Sequence, residues 1–241
     1  MRFPTGVKLL DHLLGGGVPE RSPVLVYGPS FLGKEHLAMQ TMRETVARGV
    51  PAVLVLTNAC AGDVRLEMAQ ADTRFEDAER AGRVWFIDTY SRSVGAEEKL
   101  PNVIYTDSAV DLNGISVALN RVQGQLIREH EQHLVLLDSA STLIVHTNAG
   151  TVFRFLQVLT GKGKRAGASV LLLLDQGMHT DAEVQMFRHL AAGVISVRGD
   201  PGRHQLLVEG LGVERNPGWI DYRLGEHGIE MTGSLAGGRI R

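Results

Sequence analysis

The chain has 241 residues, of which 44% are hydrophobic, so it is long enough to form one large domain with a substantial core. The formal net charge of −2 gives no global attraction to nucleic acid or to an anionic membrane surface. The single cysteine, Cys60, excludes an intramolecular disulfide and a cysteine-rich zinc site, and it suits a reducing cytoplasm. No charged-then-apolar leader follows Met1, and no apolar run is long enough to span a bilayer. We therefore expect a cytoplasmic protein without a signal peptide or a membrane segment.

The first predicted element is a short helix near the N-terminus. Val7, Leu10 and Leu14 form an apolar stripe at helical spacing, and the glycines at 15–17 predict its end.

The segment that follows predicts a strand, a phosphate-binding loop and a helix. An apolar run ends at Gly28, the pattern G-x-x-x-x-G-K follows, and a helical pattern begins near Lys34. In such a loop the backbone N–H groups cradle phosphate oxygens, and the lysine adds a positive charge for the outer phosphates. The predicted nucleotide-binding residues of the loop are Gly28, Pro29, Ser30, Phe31, Leu32, Gly33, Lys34 and Glu35.

Two residues of this loop differ from those of a working nucleotide hydrolase. Glu35 stands where a Ser or Thr hydroxyl normally ligates Mg²⁺, and the bulky Phe31 stands where glycine is frequent. A carboxylate about 4 Å from one phosphate charge costs on the order of 4 kcal/mol at an effective dielectric constant near 20. The favourable interaction of Glu35 with the helix N-terminus is worth only about 0.3–1 kcal/mol. Bound nucleotide therefore requires Glu35 to turn away or to be bridged by a cation.

The remaining pattern alternates strands with helices, as in an α/β fold. Strands are expected at 51–57, 83–89, 134–137, 169–174, 193–198, 205–208 and 219–224. Helices are expected from about 34 to 48, at 63–71 and 75–81, and over the periodic segments near 115–126, 152–159 and 184–191. The polar stretch 90–113 shows no period and is expected to be a surface excursion, and a turn is expected at 200–202.

Asp138 directly follows the apolar strand at 134–137. An aspartate at the end of a strand often only caps the following loop. In this order after a phosphate-binding loop, it is typical of the Walker B residue, which holds a Mg²⁺-bound water near the phosphates. We therefore add Asp138 to the predicted nucleotide site and name Glu35 and Asp138 as the candidate metal ligands.

The opening T-G-V-x-x-L-D-x-x-L-x-G-G-V-P, at the expected distance before the phosphate-binding loop, resembles the KaiC-like branch of the RecA superfamily of P-loop ATPases. The resemblance continues through the closing segments and covers about residues 5–231. It implies an α/β, RecA-like fold with a mostly parallel central sheet, flanking helices and antiparallel strands at the C-terminal edge. We expect one domain over 1–233 and a flexible C-terminal tail over 234–241, whose low-complexity sequence suggests fraying.

The resemblance also indicates which catalytic groups are replaced. Active members carry a water-activating glutamate pair after the second strand, where this chain has Asn58, which cannot accept a proton as a carboxylate does. Ring-forming members carry a Lys-x-Arg pair on a late strand, where this chain has Glu209 and Leu211, and Glu209 is expected to be solvated. Together with Glu35, these replacements alter three parts of the hydrolytic machinery. We therefore assign no catalytic residue.

Three other features have simpler explanations than a functional site. His130 and His133 suggest a metal pair, but their spacing at an exposed helix end is more typical of a surface. The basic sequence KGKR at 162–165 suits a helix C-terminus as well as a phosphate backbone. Cys60 has no evident base partner and is expected to be a small packing residue.

The leading hypothesis is a KaiC-like protein that binds ATP weakly, with Mg²⁺ as a possible second ligand, and acts in regulation, signal transduction or assembly. It would work through protein partners or as a homo-oligomer, without turning over the nucleotide. One alternative is a slow Mg²⁺-dependent ATPase in which Glu35 ligates the metal and another acid serves as the base. A second alternative is a DNA-binding relative of the recombinases, against which the near-neutral charge argues.

Overall fold

The structure is a computed structural model that describes residues 1–200, 202–213, 217–225 and 228–232. The expected tail at 234–241 and position 201 of the expected turn lie outside the described residues. The helices described are α1 (Lys8–Leu13), α2 (Lys34–Ala47), α3 (Ala61–Ala71), α4 (Arg74–Arg80), α5 (Ser91–Val94), α6 (Leu112–Leu126), α7 (Ala140–His146), α8 (Ala149–Arg165) and α9 (Asp181–Leu190). The strands are β1 (Arg2–Phe3), β2 (Val18–Pro19), β3 (Pro23–Gly28), β4 (Ala52–Leu56), β5 (Val84–Asp88), β6 (Val103–Tyr105), β7 (His133–Leu137), β8 (Ala168–Asp175), β9 (Gly193–Asp200), β10 (Arg203–Gly210), β11 (Ile220–Gly225) and β12 (Gly228–Met231).

One sheet of ten strands organises the described residues, in the order β12-β11-β10-β9-β3-β8-β7-β4-β5-β6. The strands from β9 to β6 in this order pair in parallel. The pairs β9–β10, β10–β11 and β11–β12 are antiparallel, and β1 and β2 form a separate small ribbon. This is the mostly parallel α/β sheet with an antiparallel C-terminal edge that the sequence predicts.

Helices cover both faces of the sheet because the buried strands are apolar on both sides. Val24 and Val26 of β3 belong to a core that contains Leu37 and Met42 of α2. Leu25, between them, belongs to the second core, which α6, α7, α8 and α9 complete on the opposite face. With both faces covered, the carboxyl ends of the parallel strands form the open edge of the sheet, where ligands bind in folds of this type.

The T-G-V opening ties the N-terminal segment to the helix of the phosphate-binding loop. Thr5 donates hydrogen bonds to Asp11 Oδ1 from its backbone N (2.6 Å) and from its Oγ1 (2.8 Å). The carbonyl of Gly6 accepts a hydrogen bond from Gln40 Nε2 of α2 at 3.2 Å. These contacts give a structural reason for the Thr and Asp of the motif, since they hold the N-terminal segment together and against α2. The glycine is explained by its left-handed backbone, with φ +79° at Gly6.

Two regions contain regular structure that the sequence pattern does not predict. The stretch 90–113 is not only a surface excursion, because it contains α5 and the edge strand β6, which pairs in parallel with β5. All three residues of β6 are half-buried, and three residues are too few to show an alternating pattern. Helix α7 follows Asp138 after a single residue, Ser139, whose side chain accepts a hydrogen bond from the backbone N of Thr142 at 3.0 Å and so caps the helix.

The expectation that His133 lies at an exposed helix end is wrong. His133 is the first residue of β7, and its side chain is completely buried. Its Nε2 lies 3.0 Å from Nε2 of Gln123 on α6. Burial, with a smaller contribution from His130, lowers the pKa of His133 to about 4. The imidazole is therefore a neutral group in the core, and His133 does not form a metal-binding pair with His130.

Candidate functional site

The predicted phosphate-binding loop connects β3 to α2 at the open edge of the sheet. Gly33 caps α2 with φ +88°, a left-handed conformation that glycine adopts without strain. Phe31 also has a left-handed backbone, φ +65°, and 93% of its side chain is exposed. For a bulky residue this conformation costs about 1–2 kcal/mol. The loop thus keeps the backbone geometry of a glycine position although Phe31 occupies it.

Gly28 is required for the packing of β3 against β9. A Cβ at this position would lie 2.6 Å from the backbone carbonyl oxygen of Val197 on β9 and would overlap that residue's side chain. A backbone oxygen in a central strand has little freedom to move away. The close approach of β3 and β9 therefore needs a residue without a side chain at 28.

Lys34, the predicted phosphate-facing cation, lies at the start of α2 and is only 1% exposed. Its Nζ lies 2.7 Å from Asp175 Oδ1, and it also forms an ion pair with the carboxylate of Glu35. A longer hydrogen bond of 3.5 Å runs from the ammonium group to the carbonyl oxygen of Pro29. In this structure Lys34 is fully engaged by groups of the protein, and the half-exposed Glu35 is one of its two anionic partners.

Asp175 is a site residue that the sequence reading missed. It is the last residue of β8 and pairs directly with Gly28 across the parallel strands β3 and β8. The signal that could have identified it is the one used for Asp138, a carboxylate at the end of a buried strand. The expected strand stopped one residue earlier, at 174, and the neighbour relation of β8 and β3 is not visible in the sequence.

Asp138 directly follows β7, as its position after an apolar strand predicted, and its carboxylate is held by Thr57. It accepts hydrogen bonds from the backbone N of Thr57 at 2.9 and 3.1 Å and from Thr57 Oγ1 at 2.7 Å. Burial raises the pKa of Asp138 to about 6, and the hydrogen bonds from Thr57, Asn58 and Ser139 only partly offset that effect. The carboxyl group therefore keeps its proton to a higher pH than an ordinary aspartate does.

A cavity of about 580 Å³ lies at the carboxyl ends of the parallel strands, and four of the nine predicted site residues line it: Ser30, Phe31, Glu35 and Asp138. Four carboxylates line it, those of Glu35, Glu67, Asp138 and Asp175, and His36 is the one basic side chain among its lining residues. Much of the remaining wall is apolar, as in most small-molecule sites. The other lining residues are Ser30, Phe31, Ala38, Met39, Leu56, Asn58, Ala59, Val64, Leu136, Ser139, Ser141, Thr142, Leu173 and Met178.

The donor set suits a magnesium ion only as part of a metal–nucleotide complex. Among the described residues, no group of three or more His, Cys, Asp or Glu side chains is arranged to hold a metal ion. Mg²⁺ in nucleotide sites uses one or two carboxylates together with phosphate oxygens and water. Glu35 and Asp138 line the same cavity and fit that smaller requirement.

The positions where the resemblance predicts the catalytic groups carry no substitute with the same charge. Asn58 is exposed and lines the cavity, so the position of the water-activating pair does face the site. Leu211 is buried in the core with φ +56°, and Glu209 forms an ion pair of 2.7 Å with Arg188 of α9. The expectation that Glu209 is merely solvated is therefore wrong. Its carboxylate fastens β10 to α9.

The minor candidates lie away from this cavity or have structural roles. Residues 162–165 form the last turn of α8, in which the three basic side chains are exposed and Gly163 is buried. This turn lies just before β8 begins, at the end of that strand opposite Asp175. Cys60 is the half-buried residue that precedes α3. None of the described helices is long and apolar enough to cross a membrane.

The sheet, the loop at its open edge and the adjoining cavity define a RecA-like P-loop fold. A family model described as "ATPase: KaiC" matches residues 3–207, and the chain belongs to this family.

Relatives and a solved structure agree with this assignment. A UPF0273 protein of Pyrococcus furiosus is 28% identical over 67% of this chain and 65% of its own length. One of Pyrobaculum aerophilum is 30% identical over 64% of this chain and 54% of its own length. The chain thus spans less than two thirds of the length of these relatives. The crystal structure of a KaiC-like protein from Pyrococcus horikoshii superposes with a TM-score of 0.73 at 21% identity, over 96% of this chain and 98% of that one.

Proposed function

We propose that this chain binds adenine nucleotide together with Mg²⁺ at the phosphate-binding loop and hydrolyses it very slowly or not at all. The observation that carries the proposal is the combination of an intact loop backbone with replaced catalytic groups. Gly33 keeps its left-handed conformation and Lys34 begins α2 beside a cavity of nucleotide size. Asn58 and Leu211 stand where a base and a cation would act, and neither side chain does so.

In this proposal each described site residue has a defined task. Backbone N–H groups of the loop and Lys34 hold the phosphates, once Lys34 leaves its present carboxylate partners. Glu35 and Asp138 are the side chains that would hold Mg²⁺, which would neutralise phosphate charge. The apolar wall formed by residues such as Met39 and Val64 would exclude water from one side of the ligand.

Binding without turnover fits a regulatory or assembly role better than an enzymatic one. The protein would report the presence of nucleotide to protein partners or to further copies of itself. Ten of the described strands form one sheet, which supports the single domain expected over 1–233. Nucleic acid is a weaker candidate partner, because the basic residues 162–165 lie at the edge of the sheet opposite the cavity.

Lys34→Ala should weaken Mg·ATP binding by about tenfold or more, because it removes the only loop cation that can contact phosphate. Isothermal titration calorimetry of the wild type and the variant measures this directly. Lys164→Ala, which removes an exposed lysine at the opposite edge of the sheet, is the matched control and should leave the affinity unchanged. Equal ATP affinity for Lys34→Ala and the wild type would contradict the proposed site.

Phosphate release from ATP by the purified protein should be undetectable or very slow. A turnover near one per second, which is at the low end of typical enzymes, would favour the slow ATPase if Lys34→Ala abolished it. Glu67, a second acid on the cavity wall, would then be the first residue to examine as the base.

A further inference from the structure

The carboxylate of Asp175 contacts the groups of the loop that a phosphate oxygen would need. Its Oδ1 lies 2.7 Å from Lys34 Nζ and accepts a hydrogen bond from Ser30 Oγ at 3.1 Å. Lys34 is 1% exposed and the side chain of Asp175 is 16% exposed, so the ion pair is largely shielded from water. Charge-assisted contacts of this length are the ones a loop lysine and hydroxyl would offer to phosphate.

The sheet and its neighbours fix Asp175 in this position. Its backbone N donates to Ser141 Oγ on α7 at 2.9 Å, and Ser141 Oγ lies 2.8 Å from His179 Nε2. The next residue, Gln176, donates its backbone N to the carbonyl oxygen of Gly28 at 2.9 Å. Because β8 pairs with β3 along this edge, the carboxylate does not belong to a loop that is free to swing away.

We propose that Asp175 is a specificity-determining residue, an internal anion that competes with nucleotide phosphate for Lys34 and thereby sets the affinity of the site for phosphorylated ligands. The inference rests on the proposed function and deepens it. A phosphate that enters the loop must displace the carboxylate from Lys34 and then remain close to it. With Glu35 also on Lys34, the incoming phosphate meets two carboxylates and one cation.

Two consequences separate this role from a purely structural one. Removing the charge of Asp175 should strengthen binding, whereas loss of a merely structural contact should weaken it. The gain should also increase with the negative charge of the ligand, from none for adenosine to the largest for ATP, since the competition is electrostatic. Pyrophosphate should gain as well, because adenine takes no part in the competition.

The experiment compares the wild type, Asp175→Asn and Asp181→Asn by calorimetry with Mg·ATP, ADP, adenosine and pyrophosphate at low ionic strength. Asp181, in the first turn of α9, is exposed and gives a variant with the same net charge as Asp175→Asn. We expect Asp175→Asn to bind Mg·ATP about tenfold more tightly, or better, and the adenosine affinity to remain unchanged. Asp181→Asn should follow the wild type. Circular dichroism verifies the fold, and Asp175→Ser serves as a second charge-removing variant if the asparagine variant does not fold.

The outcomes distinguish this inference from the proposed function. Equal or weaker ATP binding by the folded Asp175 variants, with binding still dependent on Lys34, overturns the inference and leaves the function standing. Tighter binding of pyrophosphate by Asp175→Asn, with no ATP binding by any variant, supports the role of Asp175 as an internal anion and refutes the nucleotide function. A gain of the same size for adenosine and ATP overturns the inference, because the change would then not be electrostatic.

Discussion

At the scale of single residues, Glu35 is the loop residue that differs most in chemistry from the hydroxyl it replaces. Its half-exposed carboxylate forms an ion pair with Lys34 in this structure. Glu35→Thr frees Lys34 from one carboxylate and restores a hydroxyl ligand for Mg²⁺, at the loss of a small helix-terminus interaction. After solvent screening we expect Mg·ATP to bind more tightly by about 1–2 kcal/mol, roughly five- to thirtyfold.

Calorimetric titrations of the wild type and Glu35→Thr with ATP, each with and without Mg²⁺, measure this effect. Glu44→Thr, which removes a carboxylate from the other end of α2, is the matched control. Tighter Mg·ATP binding by the wild type, lost when Mg²⁺ is omitted, would mean that metal ligation by Glu35 outweighs its repulsion of phosphate, and the prediction would be wrong. Hydrolysis should not appear in the threonine variant, because Asn58 remains in place of the water-activating acid.

The spacing of the sequence was sufficient to predict the phosphate-binding loop and Asp138, but not the ion pair between Lys34 and Asp175. Glycines, a lysine and a strand-end aspartate at recognisable intervals identified Gly28, Gly33, Lys34 and Asp138. Asp175 was missed because its contact with Lys34 depends on β8 lying beside β3, and the two strands become neighbours only through the order of the sheet. Lys34 and Asp175 are separated by more than half of the chain, and no local sequence pattern indicates a contact over that distance.

At the scale of elements, the packing of β3 against β9 makes Gly28 a structural residue even without ligand. Gly28→Ala should lower the free energy of unfolding of the ligand-free protein by about 2 kcal/mol or more, because Val197 leaves no space for a Cβ. Gly161→Ala, at an exposed position of α8 with no atom near the new Cβ, should instead raise it by about 0.5–1 kcal/mol.

Urea unfolding of both glycine variants and the wild type, without nucleotide, provides the comparison. If Gly28→Ala leaves the ligand-free stability unchanged, the glycine serves phosphate binding alone and the packing argument fails. Because the two variants should change the free energy of unfolding in opposite directions, a general effect of exchanging glycine for alanine cannot explain the result.

Long helices and strands with a regular apolar pattern were predicted well. Short elements, and a polar residue within an apolar strand, were not. Helices α6 and α8 and the buried strands β4 and β8 have apolar patterns long enough to identify them. The three-residue strand β6 is stabilised by pairing with β5. Helix α7 begins after Ser139, whose side chain caps it. His133 was misjudged for a related reason, since a polar residue at the start of an apolar strand gives no sign in the sequence that it is enclosed.

At the scale of the whole molecule, the buried His133 and the half-buried Asp138 give the stability opposite dependences on pH. The pKa of His133 is lowered to about 4 in the fold, so the unfolded chain binds a proton first and stability falls as the pH drops from about 6.5 to 4. The pKa of Asp138 is raised to about 6, so the folded chain holds its proton longer and stability falls as the pH rises from about 4 to 6. Each effect is worth roughly 3 kcal/mol, so the two nearly cancel across this range.

Removing one of the two groups should therefore reveal the pH dependence of stability that the other group causes. In His133→Gln, the free energy of unfolding relative to the wild type should increase by roughly 3 kcal/mol between pH 7 and pH 4, because the variant no longer loses stability by leaving a histidine unprotonated in its core. Asp138→Asn should change in the opposite direction over the same interval. Urea unfolding followed by tryptophan fluorescence at several pH values gives both curves, with His130→Gln as the matched control for removing a histidine from this segment. A His133→Gln curve that runs parallel to that of the wild type would mean that the imidazole takes up a proton in the fold as readily as in the unfolded chain, and the assignment of His133 as a neutral core group would be wrong.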